Sequence, residues 1–246
     1  MADGTDVALT VATEVAKEIS KEAYADGVAP SLRQAGGLLE DLAKTARLAL
    51  APIQVTAALQ DRFRDFLDRT IRRVPEDRRV SPPPQIAGPV FEGLKYEEAG
   101  TPLDEMFSQL LSKGMDSQYI HLAHPSYPQI IRQLSRDEAV LLLEISSFEK
   151  SGAPAKRRTS MDLNTPPPPA WKNVKIELDE LNLEQLHYPD NFDLYFQHLY
   201  SMGIAAAFKV HEEPTKNLDG TQKGTRVLEE FRLTDFGRHF MSAVTK

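Results

Sequence analysis

Cysteine is missing from all 246 residues, which excludes a disulfide framework, a thiolate metal site and a thiol nucleophile in one step. A reducing compartment is the expected setting. Basic residues are also in short supply, 29 Lys and Arg against 36 Asp and Glu, for a net charge of −7. A general nucleic-acid binder is therefore not expected, since neutralising phosphates needs a basic face; a local basic face stays open. No long apolar run exists: the most apolar stretch, Leu48 to Leu59, is bounded by Arg47 and by Gln60-Asp61. That falls short of the roughly 20 residues needed to span a bilayer. Met1 to Thr10 carries Asp3 and Asp6 where a secretory signal would be basic, so a cytoplasmic location is expected. A phosphate-binding glycine loop and a serine nucleophile elbow are both lacking.

What is present suffices for a folded core, because the 41% hydrophobic and 26% charged fractions match globular averages rather than disordered ones. Val7, Val11, Val15 and Ile19 recur every fourth residue and predict an amphipathic helix that Asp26-Gly27 ends. Pro30-Ser31 opens a second helical stretch with Leu32, Leu39, Leu42, Ala46 and Ala49 on one face. Pro52 breaks it, and Val55, Leu59, Phe63, Phe66, Leu67 and Ile71 continue the helical spacing among alternating arginines and aspartates. Pro75, Pro82, Pro83, Pro84 and Pro89 then mark a boundary that should hold no helix interior, with a short helix from Pro89 to Tyr96.

Thr101-Pro102 reads as an N-cap and first helical residue for a helix ending at Gly114. Ser135 and Glu138 match a capping box, opening a central helix with Ala139, Leu141, Leu142 and Ile145. Ser151 to Pro169, basic and ending in four prolines, reads as an exposed, mobile insertion. Regular structure is expected to return at Asn191, with an apolar helix over Phe192 to Tyr200 stopping at Gly203. Ile204 to Val210 and Val227 to Leu233 then read as strands of a hairpin around a polar loop, and Thr234 caps a last helix. The expected fold is mainly α with a small β-hairpin: an N-terminal helical region over 1–74, a Pro-rich connection over 75–101, and a winged-helix-like C-terminal domain over 102–246. The insertion at about 151–171 lies within that last domain.

Candidate chemistry is sparse. His121 and His124 share a spacing seen in metal pairs, yet Pro125 stops a helix there and no third ligand is fixed, whereas zinc needs three or four converging ligands. His187, His198, His211 and His239 are scattered, and the acidic pairs Asp104-Glu105, Asp179-Glu180 and Glu229-Glu230 read as solvated faces. No catalytic residue, cofactor or metal is predicted. A winged-helix-like end invites DNA binding, but the helix that would enter the groove carries Asp193 and no lysine or arginine, so specific DNA recognition is disfavoured. Leu32 to Ile71 invites a membrane-surface reading. Its Glu40, Asp41, Asp61, Asp65 and Asp68 weaken attraction to anionic lipid, which favours core packing.

The segments FSQLLSKGMD and HPSYPQIIRQLSRDEAVLLLEI resemble the central signature of the abortive infection alpha proteins of bacteria, a helix ending in a leucine pair, a His-Pro turn, then a capped helix. LYSMGIAAAF followed by FRLTDFGRHF resembles the family's ending. The likeness covers roughly Pro30 to Met241, and the chain departs from it at Ser151 to Trp171 and in the alanines flanking Met202-Gly203-Ile204. Positions matching the motif are His124, Pro125, Leu134, Ser135, Asp137, Ala139, Leu233, Thr234 and Gly237, each with a structural use as turn, cap or core. The resemblance implies antiphage defence by abortive infection, in which an infected cell stops growing before phage mature. It supplies no catalytic residue. The expectation is a non-enzymatic protein acting through a protein partner or self-association, with a membrane surface open through Leu32 to Ile71 and no small-molecule substrate. A DNA-binding transcriptional regulator is the alternative.

Overall fold

A computed structural model describes residues 57–164 and 170–246, together with positions 41, 42 and 45. The expected N-terminal helix over Thr5 to Asp26 lies outside the described residues. Two compact units result, one ending at Leu134 and including Ser242–Lys246, the other Ser135–Met241.

The described part of the first unit is helical: α1 (Ala57–Arg72), α2 (Pro84–Leu94), α3 (Pro102–Gly114) and α4 (Tyr127–Gln133). The Thr101 hydroxyl accepts the Asp104 N–H at 3.1 Å, and Pro102 occupies the first turn where no N–H is needed, so α3 begins where the sequence says it should. Leu103, Met106, Phe107, Leu110 and Leu111 are all buried, which makes α3 the hub against which α1, α2 and α4 pack. At Gly93 of α2 the approach is closest: a Cβ there would lie 2.4 Å from the Phe107 ring. Polar links from α1 and the residue after it to α3 are specific. Arg73 grips Glu105 with two bonds of 2.7 Å, Arg69 meets the buried Asp104 at 2.8 Å, and the Thr70 and Ser108 hydroxyls, both fully buried, bond each other at 2.9 Å. Pro89 corrects the expectation that this region holds no helix-interior proline, because it sits inside α2, one turn beyond the prolines that start it.

In the second unit, α5 (Arg136–Lys150), α6 (Phe192–Ser201) and α7 (Asp235–Val244, as far as Met241) accompany β1 (Ala155–Asn164), β2 (Ala170–Asp179), β3 (Ala205–Lys216) and β4 (Gln222–Leu233). The four strands form one antiparallel sheet in the order β2-β1-β4-β3. This overturns the expectation of a mainly α fold with a small hairpin and a winged-helix-like end: the fold combines helices with a four-stranded sheet. The hairpin β3–β4 exists, longer than expected, but its β4 edge is paired along Ala155–Asp162 of β1. That strand runs through the stretch read as an insertion. An isolated two-stranded ribbon is marginal in water, and the second hairpin supplies the further strands it needs.

Side chains on successive strand residues point to opposite faces, so the register defines rows across the sheet. The first row is apolar, with Ala155 opposite Phe231 and Ala207 beyond it. Phe231 packs against Phe192 and Phe196 of α6, ring centres 5.4 and 4.5 Å apart, and this is the aromatic core of the unit. The opposite face carries Arg158, Arg226, Glu230 and Arg232, where Arg226 bridges Glu177 and Glu213 at 2.8 Å each. A helix-to-strand joint closes the unit. Ile204 O accepts the Thr234 N–H at 2.9 Å, the Thr234 hydroxyl accepts the Gly237 N–H at 2.9 Å, and a Cβ on Gly237 would sit 1.9 Å from Ile204 O.

Candidate functional site

Beyond the Phe231 row the side chains on this face of the sheet change character. The next row runs Asp179, Arg157, Glu229, Lys209 across all four strands, alternating in sign. Arg157 is only 7% exposed; its guanidinium lies 3.6 Å from the centre of the Phe192 ring and bonds Asp179 at 2.8 Å, while its buried Nε has no hydrogen-bond partner. Stacking on an aromatic face and pairing with a carboxylate are what make a buried arginine tolerable. The following row, Ile176, Thr159, Val227 and Glu212, is largely apolar, and Met161 and Thr225 come after it.

These rows, with Trp171 and Val174 at the β2 edge and Asp193 at the start of α6, line an open groove of about 420 Å³. Trp171 and Ile176 are each 49% exposed and Val174 63%. Apolar side chains left uncovered side by side mark a contact surface. The charges around them are not balanced. Lys209 is held by Glu212 at 2.6 Å, which with the Thr225 hydroxyl keeps the Glu212 carboxyl below its ordinary pKa, and Arg157 is held by Asp179. The carboxylates of Asp193 and Glu229 take no hydrogen bond or ion pair among the described residues. No histidine lines the groove; of its two threonine hydroxyls, that of Thr225 donates to Glu212 Oε1 at 3.1 Å. Exposed apolar side chains set among charged ones suit binding.

A second polar cluster holds the N-terminus of α5. Both bonds of the capping box are made: Glu138 Oε2 accepts the Ser135 N–H at 2.6 Å and Ser135 Oγ accepts the Glu138 N–H at 3.2 Å. The other Glu138 oxygen meets His198 Nδ1 of α6 at 2.6 Å. Beside it the buried Asp137 accepts the N–H groups of His187 and Tyr188 and the Tyr195 hydroxyl, all at 2.9 Å. Burial pushes the Asp137 pKa up, but these three donors outweigh it and hold the carboxyl below the ordinary value. The cluster ties α5, α6 and the 187–188 loop together.

The nine motif positions do not converge. His124 is an exposed turn residue whose Nδ1 bonds Ser126 at 2.7 Å, with Pro125 beside it, and His121 lies in a separate 3-10 turn. Leu134 is buried in the first unit, while Ala139 and Leu233 are core of the second. Ser135 and Asp137 belong to the α5 cluster, Thr234 and Gly237 to the closing joint. None lines the groove. Of the groove's residues, the sequence singled out Glu229 and Asp193 as charges and Val227 and Trp171 only as segment bounds, although the alternation Val174, Ile176, Leu178 is a readable strand signal.

Capping, joint and core positions are what a family motif of structural type would hold fixed, and the family model described as abortive infection alpha matches residues 55–244. The chain belongs to the abortive infection alpha family. This abortive infection alpha protein matches no curated protein and no solved structure. The matched span includes all four strands, among them β1, which lies in the stretch where the sequence departs from the family's pattern. Among the described residues, no helix of this abortive infection alpha protein is long and apolar enough to cross a membrane.

Proposed function

We propose that this protein serves antiphage defence by abortive infection, without catalysis, by binding a protein partner on the open half of the second unit's sheet. The observation that carries the defence role is the family match over residues 55–244. The groove supports the binding role, because it exposes apolar residues beside the carboxylates of Asp193 and Glu229, which take no bond among the described residues. In this reading the second unit senses infection and the N-terminal region over 1–74 is the effector part. α6, which would have entered DNA, contributes Phe192 and Phe196 to the core and carries no lysine or arginine, so protein contact is preferred.

The test is expression in a susceptible bacterial host, followed by plaque counts over a broad phage panel and by survival at low and high phage-to-cell ratios. Abortive infection lowers plaque number and lets cultures collapse at the high ratio while they survive at the low one. Unchanged plaque formation across the panel overturns the defence role. If Val174→Asp with Ile176→Asp folds and still protects fully, the sheet groove is not the surface used.

A further inference from the structure

We infer that the groove on the second unit's sheet receives a short cationic, amphipathic segment of a partner protein, an inference that rests on the binding role proposed above. The groove's charge and its apolar floor define what complements it. Of the five charged residues lining the groove, Arg157 and Lys209 are already committed to Asp179 and Glu212. The carboxylates without a bonded partner are Asp193 and Glu229, the latter facing Arg157 and Lys209 across its row without bonding either. Beside them the floor is Met161, Val174, Ile176 and Val227, with Trp171 at the β2 edge. An arginine or lysine of the partner meets the two carboxylates, and its apolar neighbours cover the floor.

Length follows from the register. The open rows run from Glu229 to Thr225 along β4, about 13 Å at the usual rise per strand residue. Four or five extended residues fill that span. A half-exposed indole at the rim adds a face on which a second cationic side chain can stack. Nucleic acid and anionic lipid are the wrong sign for the same two carboxylates.

Trp171 is the only tryptophan in the chain, so its fluorescence reports on this groove alone. The full chain is titrated with a ten-residue peptide alternating arginine and valine, with its glutamate–valine counterpart, and with vesicles of mixed phosphatidylglycerol and phosphatidylcholine. The expected result is a saturable change in Trp171 emission with the arginine peptide alone, weakening as salt rises. Asp193→Asn with Glu229→Gln lowers that affinity about tenfold, roughly what two part-exposed ion pairs supply together. Glu184→Gln with Asp190→Asn removes the same charge from exposed positions elsewhere on the unit and leaves affinity unchanged. Both variants are checked for unaltered circular dichroism and thermal midpoint. Equal responses to the two peptides, no saturable response, equal affinity in both charge variants, or a stronger response to vesicles would each overturn the inference. Loss of peptide binding with plaque protection intact refutes only this occupant, whereas intact peptide binding without protection refutes only the defence role.

Discussion

Asp137 is a single buried polar group that joins three segments of the second unit. Its carboxylate is 3% exposed and accepts three hydrogen bonds of 2.9 Å, from the main chain at His187 and Tyr188 and from the Tyr195 hydroxyl. Asparagine keeps the shape but turns one oxygen into a donor, so at least one backbone N–H loses its acceptor and faces another N–H. Hydrogen bonds to a charged group contribute about 1.5–3 kcal/mol, and a buried donor left without one costs about 1–3 kcal/mol. Asp137→Asn should therefore cost about 3 kcal/mol, Asp137→Ala about 4 and Tyr195→Phe about 1. Such a loss is a large share of the 5–15 kcal/mol typical of a domain. Urea unfolding of the full chain gives the total, and hydrogen exchange at the His187 and Tyr188 amides localises it, accelerating by about two orders of magnitude. The folded pKa of Asp137 is depressed, so its contribution is present above the unfolded carboxyl value and disappears as pH falls through the folded one. The difference between wild type and Asp137→Asn should thus narrow below about pH 4. A loss under about 0.5 kcal/mol, or unchanged exchange at both amides, would refute the assignment of these bonds.

Glu144 tests the opposite sign. Burial raises its pKa, the Asn182 N–H at 2.7 Å opposes that rise, and the charge of Asp179 adds to it, leaving the carboxyl above its ordinary value with Oε2 buried and unbonded. Its favourable contribution belongs to pH below the unfolded value and is lost as pH climbs through the folded one. Glu144→Gln should accordingly raise the thermal midpoint at neutral pH and leave it unchanged in acid; a lower midpoint at neutral pH counts against this. Gly237→Ala should destabilise by about 1–3 kcal/mol, because the new methyl meets the backbone oxygen of Ile204 rather than a side chain that can turn away. In an open helix the same change stabilises by roughly 1 kcal/mol, so thermal unfolding decides between the two signs. Gly93→Ala pushes a methyl into the Phe107 ring and should cost about 1–3 kcal/mol, a cost that Phe107→Leu in the same chain relieves in part.

Local chemistry was readable and remote chemistry was not. Thr101 with Pro102 and Ser135 with Glu138 declare two helix starts, since a cap is completed within four residues and needs nothing from elsewhere. The strand β1 declares nothing of the kind. Its Lys156, Arg157 and Arg158 look like a solvated linker, and the burial of Arg157 becomes possible only through Asp179 and Phe192, both more than twenty residues away in the chain. Half of the sheet is open on one face and the other face is polar, so β1 has no reason to show apolar alternation. The groove was invisible for the same reason: its lining is gathered from β1, β2, α6, β3 and β4, and the sequence joined only the last three of these, leaving β1 and β2 without a link to them. The Glu138–His198 contact likewise joins residues that spacing alone would leave scattered.

The strand order also dictates a sequence of events during folding. β1 with β2, and β3 with β4, are local hairpins that form quickly, but the sheet is whole only when Ala155 finds Phe231 across the length of the second unit. Until β4 leaves the ribosome, β1 presents an unpaired backbone edge, and an unpaired edge templates aggregation. A chain truncated before Gln222 is thus not a smaller version of the protein, because it lacks the strand that joins the two hairpins. Its fate is capture by chaperones or deposition, and deletion series that place a boundary between β1 and β4 will report on misfolding before they report on defence.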